Sequence, residues 1–104
     1  MTRRSSALVL RPLARRDIEA AAVWYEEQSP GLGRRFLDAV EATLGVIRAG
    51  PERYARLYRD VRRAGVERFP YGVFYVVRGE TVHVIACVHG RRHPRRWQSR
   101  ARGV

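Results

Sequence analysis

The sequence predicts one α+β domain over residues 1–104, in the order strand, helix, helix, strand, strand, strand. Three observations carry this. Apolar residues recur at helical spacing only in the first half of the chain. In the second half they form short runs rich in valine and aromatics, or alternate with polar residues. Glycine and proline mark the joins between these stretches.

Ala7 to Arg11 reads as a short strand ended by Pro12. From Ala14 the period changes, and Ile18, Ala21, Ala22 and Tyr25 form the apolar face of a first helix that stops near Gln28. Ser29-Pro30 is expected to open a second helix, with Ser29 as its cap and Pro30 at the first helical position. Phe36, Leu37, Val40, Leu44 and Ile47 form the buried stripe of that helix, which Gly50-Pro51 ends after Ala49. So short a join predicts an antiparallel helical hairpin.

After a loop through about residue 59, Val61 to Phe69 reads as a strand with a bulge or weak point at Gly65. Gly72 to Arg78 follows, then a two-residue type II′ turn at Gly79-Glu80 and a strand from Thr81 to His89. Regular alternation along that last strand places Val82, Val84, Ala86 and Val88 on one face and His83, Ile85, Cys87 and His89 on the other. The segment from Gly90 onward is expected to be irregular or a short helical turn. Trp97 within it points to packing back on the domain. Tyr71 and Tyr75 are expected in the core with hydrogen-bonded tips.

Charge narrows the function. The formal net charge is +11, and all 21 basic residues are arginine. Residues 12–50 carry a net −1, whereas residues 51–104 hold 13 arginines against 4 acids. Codon supply explains arginine in place of lysine but not this separation, which points to a polyanionic partner. The single cysteine, Cys87, excludes an internal disulfide and a multi-cysteine zinc site, and its apolar surroundings predict an inert buried thiol. No metal-ligand spacing, phosphate loop or Ser-His-Asp set occurs, so neither metal nor cofactor is expected. The run Ala7–Leu10 is too short for a signal-peptide core and no stretch reaches membrane-spanning length, which predicts a cytoplasmic protein without a membrane partner.

In Asp17-Ile18-Glu19-Ala20, Trp24-Tyr25-Glu26, Pro30-Gly31-Leu32-Gly33-Arg34-Arg35-Phe36, Arg68-Phe69-Pro70-Tyr71-Gly72-Val73-Phe74-Tyr75 and Val84 through Pro94, in that order and spacing, the chain resembles the RelE/ParE toxins of type II toxin–antitoxin systems. The resemblance implies a helical hairpin packed on a curved antiparallel sheet. It also implies a protein that arrests growth when free and is silenced by a cognate antitoxin. RelE-like members cut messenger RNA on the ribosome, whereas ParE-like members poison DNA gyrase.

RNA cleavage through the 2′-hydroxyl needs a base, an acid and cations on the phosphate. RelE-like toxins resemble one another in supplying these with sheet lysines and arginines and often a C-terminal tyrosine. This chain has no lysine, carries Gly72 after Tyr71 where a basic residue is usual, and has Trp97 where a late tyrosine would stand. The resemblance is therefore read as ParE-like. Arg91, Arg92, Arg95, Arg96, Trp97 and Arg100 are its expected target-binding residues, with no acid after Glu80. Under the RelE alternative, Arg91 and Arg92 clamp phosphate, while His89 and His93 carry protons. Surrounding arginines would push those histidines towards their neutral form. A further alternative is an inactive fold member that only binds nucleic acid.

Arg62, Arg63 and Arg68 are candidates to extend the basic face, though Arg62 and Arg63 point to opposite faces of a regular strand. Trp24 borders the first helix's apolar face and is the one candidate for antitoxin contact. Asp17 and Glu19 suit the helix dipole and need no catalytic role.

Overall fold

Pro12 separates two elements because its ring fixes a helical φ and its missing N–H costs nothing in a first helical turn. Strand β1 (Ala7–Leu10) ends just before it, and helix α1 (Pro12–Gln28) begins on it, two residues earlier than the change of period indicates. The computed structural model describes residues 6–90 and 94–104. α1 buries Ala14, Ile18, Ala21, Ala22 and Tyr25, as its spacing predicts.

Helix α2 (Leu32–Ala49) starts later than Ser29-Pro30 implies. Its N-cap is Gly31, at φ 87°, and no side chain at that position caps it. The cap comes from the preceding helix. The Glu26 carboxylate accepts the N–H of Gly31 at 3.1 and 3.0 Å and that of Gly33 at 3.0 Å. An acid serves here because helix N-termini leave donors unpaired and carry partial positive charge.

The two helices meet closely at Gly33, where a Cβ would lie 2.6 Å from the Ala22 carbonyl oxygen. Gly33→Ala must therefore push the helices apart. It is expected to cost about 1–3 kcal/mol in urea denaturation. Of the predicted stripe, Phe36, Val40 and Ile47 are buried, while Leu37 and Leu44 pack partly buried against the same core.

The remaining elements are β2 (Arg56–Tyr58), β3 (Val61–Gly65), β4 (Tyr71–Arg78), β5 (Thr81–His89) and α3 (Pro94–Ala101). They build a five-stranded sheet of order β1-β5-β4-β3-β2. The strands from β3 to β5 form the expected antiparallel set, β2 extends it, and β1 adds to β5 in parallel, so the whole sheet is mixed. At the β4–β5 turn Gly79 has φ 62° and Glu80 is not left-handed, as a type II′ turn requires.

Three local expectations are corrected. β2 lies inside the segment expected to be loop, and Arg59 at φ 51° turns it into β3. β3 stops at Gly65, which pairs with Gly72 rather than forming a bulge. Arg68, at φ 69°, then turns the chain inward. That turn delivers Phe69 against Tyr25 and Phe36, with ring centroids 4.9 and 5.2 Å away. Aromatic packing there outweighs continuation of the strand.

The third correction concerns β5. Tyr75 pairs with Val84 but Phe74 pairs with Ala86, leaving Ile85 as an extra residue. An extra residue reverses the alternation beyond it. Val82, Val84 and Cys87 join the core under the helical hairpin, whereas Ile85, Ala86 and Val88 join a second core on the opposite face. That second core also holds Val61, Phe74, Val76 and Trp97. Tyr75 is fully buried, and its hydroxyl donates to the Pro51 carbonyl at 2.7 Å.

Candidate functional site

The bulge in β5 creates the polar junction on which the C-terminal helix is mounted. β1 covers β5 only as far as the pair Leu10–Val84. Beyond it, backbone groups of β5 lack a strand partner and find side chains instead. The Cys87 N–H donates to Asp17 Oδ2 at 3.0 Å, and the Ile85 carbonyl accepts from Arg100 Nη1 at 3.0 Å. Arg100 closes the arrangement by gripping the Asp17 carboxylate with both terminal nitrogens, at 2.6 and 3.3 Å. Both side chains are nearly out of solvent, at 14% and 11% exposure.

Asp17 therefore does more than favour the dipole of α1. It accepts from three donors across two other elements, and Arg100, 83 residues away, does not stand out beside it in the sequence.

Trp97 fixes the other side of α3. It is 4% exposed and stacks on Phe74, with centroids 4.6 Å apart and planes at 16°. Trp97 and Arg100, expected at the target surface, are thus engaged by the protein's own fold. Arg95 and Arg96 remain exposed on α3, as does Arg102 just beyond its end. Arg91, Arg92 and His93 lie outside the described residues.

Beside α3 a cleft of about 290 Å³ opens between α1 and the ends of β4 and β5. It brings together Trp24, His89 and Arg96, three residues the sequence singled out separately, along with Asp17 and Tyr71. Trp24 is 53% exposed and packs edge-on to Tyr25 at 5.1 Å. His89 reaches this side because of the reversal at Ile85. Its ring stands edge-on to that of Tyr71 at 5.5 Å, and its buried Nδ1 has no hydrogen-bond partner among the described residues.

Burial pushes the Tyr71 hydroxyl above its ordinary value of 10.0, with Cys87 and Asp17 adding to the effect. Near neutrality it is a hydrogen-bond donor rather than a proton shuttle. The cleft offers an aromatic wall and a guanidinium, and so suits docking better than acid–base work.

Arg62 and Arg63 do point to opposite faces. Arg62 donates to the carbonyls of Glu52 and Tyr54, whereas Arg63 lies against the Phe74 ring at 5.9 Å. A Cβ at Gly72 would overlap the Arg63 guanidinium, so glycine at this position leaves room for that side chain from β3.

Cys87 is buried and free. Burial, with the Asp17 carboxylate adding and Arg63 opposing, pushes its thiol from 9.0 up to about 12. Burial likewise raises Tyr75 from 10.0 to about 12, against the pull of Arg62. In the unfolded chain both groups ionise nearer their ordinary values. The stability they hold below pH 9 is therefore lost as pH rises through 12. The urea midpoint is expected to stay level up to about pH 8.5 and fall above it, less steeply in Cys87→Ala.

Among the described residues no group of three or more His, Cys, Asp or Glu side chains is placed to hold a metal ion. No helix among them is long and apolar enough to cross a membrane.

Solved structures share this architecture. One, titled as a chromosomal ParDE toxin–antitoxin system from P. aeruginosa, superposes with a TM-score of 0.71 at 19% identity, over 83% of this chain and 97% of that one. Another, titled as the toxin–antitoxin complex RelBE2 from Mycobacterium tuberculosis, gives 0.60 at 22% identity, over 85% and 94% of the two chains. No curated protein sequence matches the chain at a significant level. The fold is thus one found in both of these solved structures. Residues 8–94 match the model of the ParE toxin of the type II toxin–antitoxin system parDE, and the chain belongs to that family.

Proposed function

We propose that this protein arrests growth by docking on DNA gyrase, without catalysis, and that a cognate antitoxin silences it. The observation that carries this reading is the mounting of α3. Trp97 and Arg100 lock the helix to the domain, so that Arg95 and Arg96 stand on a rigid ridge, with Arg96 lining the cleft. A fixed array of guanidinium forks recognises carboxylates or phosphates on a macromolecule. Its antitoxin partner carries acidic residues that offset part of the +11 charge and orders on binding. Protein and gyrase meet in the cytoplasm.

A second reading, ribosome-dependent cleavage of messenger RNA, draws on His89 beside Arg96 in one cleft. Induced expression, scored for DNA breaks and transcript cleavage in the same cells, separates the two. Double-strand breaks with intact transcripts are expected. His89→Gln should then leave growth arrest intact, whereas a nuclease would lose about 10²–10⁴ in rate with its acid or base. Arg95→Glu combined with Arg96→Glu should weaken growth arrest, since both side chains are exposed and the fold does not depend on them. Cut transcripts with unbroken DNA would overturn the gyrase reading.

A further inference from the structure

Helix α1 presents apolar side chains on two faces. Its inner face packs on α2 and β5. Its outer face carries Leu13, Val23 and Trp24, which are 46%, 60% and 53% exposed, with Ala20 exposed among them. We propose that this outer face pairs with the same face of a second copy of the chain, the two α1 helices lying antiparallel across a two-fold axis near Ala20.

Spacing defines the stripe. Leu13, Arg16, Ala20, Trp24 and Glu27 follow one another at intervals of three and four residues, so they share one side of the helix, and Val23 borders it. A helix facing water on that side ordinarily carries polar residues there. Of the large apolar side chains left exposed among the described residues, three lie on this one helix. Ala20 stands in the middle of the stripe, and so small a side chain lets two helices approach closely.

Charge selects the occupant. The chain carries +11, so two copies repel each other over most of their surfaces. α1 is the exception, with four acids against two arginines. Those charges are also divided along it, with Arg15 and Arg16 in its first half and Glu26 and Glu27 at its end. Parallel copies would set like charges together. An antiparallel pair instead sets Arg16 of each copy beside Trp24 and Glu27 of the other, and makes each contact twice, as a two-fold interface requires. Arg16 and Glu27 form no ion pair within the chain among the described residues, so both are available. A guanidinium over an indole face adds a cation–π contact. An acidic protein or a nucleic acid would instead meet Glu27 on this stripe, with Glu19 at its flank, and is disfavoured. Trp24 also walls the cleft beside α3, so the dimer covers that wall.

The test is sedimentation velocity on the purified full chain over a range of concentrations. One helix per copy makes a small interface, and a monomer–dimer equilibrium with a Kd on the order of 10–100 µM is expected. Arg16→Glu and Glu27→Arg should each raise that Kd about tenfold or more, because each sets two like-charge contacts in place of two attractions. Mixed in equal amounts, the two variants should recover the dimer, since an acidic stripe then faces a basic one. Ala20→Arg should abolish association, its side chain being too long for the axis. All three positions are exposed, so urea midpoints should stay near that of the parent chain.

A monomer up to about 1 mM would overturn the proposal. So would a dimer indifferent to both charge reversals, or a mixture no more associated than either variant alone. A Trp24 indole signal shifted by an acidic peptide or a thymidine oligonucleotide, with self-association absent, would assign the face to that partner and overturn it too. None of these readouts depends on growth arrest, so the dimer and the gyrase reading stand or fall separately.

Discussion

Asp17→Ala is expected to lower the unfolding free energy by about 3–5 kcal/mol, because it strands a buried guanidinium. The Asp17 carboxylate accepts both terminal nitrogens of Arg100 and the Cys87 N–H, and all of these groups are largely out of solvent. Removing the carboxylate leaves Arg100 charged beside the Ile85 carbonyl alone. α3 is then expected to detach, taking Trp97 off Phe74. Urea denaturation followed by tryptophan fluorescence reads both events. Asp17→Asn keeps an acceptor for Cys87 and should lose less. A midpoint unchanged in Asp17→Ala would mean that the pair contributes nothing to holding α3.

The second large effect is at Trp97. Trp97→Ala removes a side chain that is 4% exposed and stacked on Phe74, and is expected to cost about 3–5 kcal/mol. Trp97→Phe should cost much less than an ordinary deletion of a buried hydrogen-bonding group. The indole N–H it removes has no partner among the described residues, so no acceptor is left behind. Comparing the two substitutions separates stacking from hydrogen bonding. If growth arrest depends on α3 as a rigid ridge, Trp97→Ala should abolish it at temperatures where Trp97→Phe retains it. Retained arrest in a folded Trp97→Ala protein would show that α3 need not be docked for the protein to act.

These two residues also show where reading along the chain stops. Trp97 is legible as a packing residue from its place after His93-Pro94, although the same run of arginines also marks it as a target-binding residue. Its partner Phe74 is legible as core, but nothing in the spacing joins the two. Asp17 looks like any acid near a helix start. Its role depends on Arg100 and on two backbone groups of β5, which only the folded chain brings together. The candidate site was read in the same partial way. Trp24, His89 and Arg96 stand out singly, and His89 joins the other two in one cleft because of the bulge at Ile85.

The sequence by itself determined the class of fold, the order of the predicted elements and the separation of charge. Helical and strand periodicities are local, and so are the stops at Pro12, Gly50-Pro51 and Gly79-Glu80. The family resemblance rests on the same linear order. Tertiary structure decided the phase of β5 beyond Ile85 and the cap of α2 by Glu26. It also decided which arginines turn inward and which stay at the surface. The cap of α2 and the inward turns of Arg62 and Arg100 each depend on backbone groups whose own elements leave them without a partner. The partner is chosen by what the packed chain places within reach, often tens of residues away, and no local pattern records that choice.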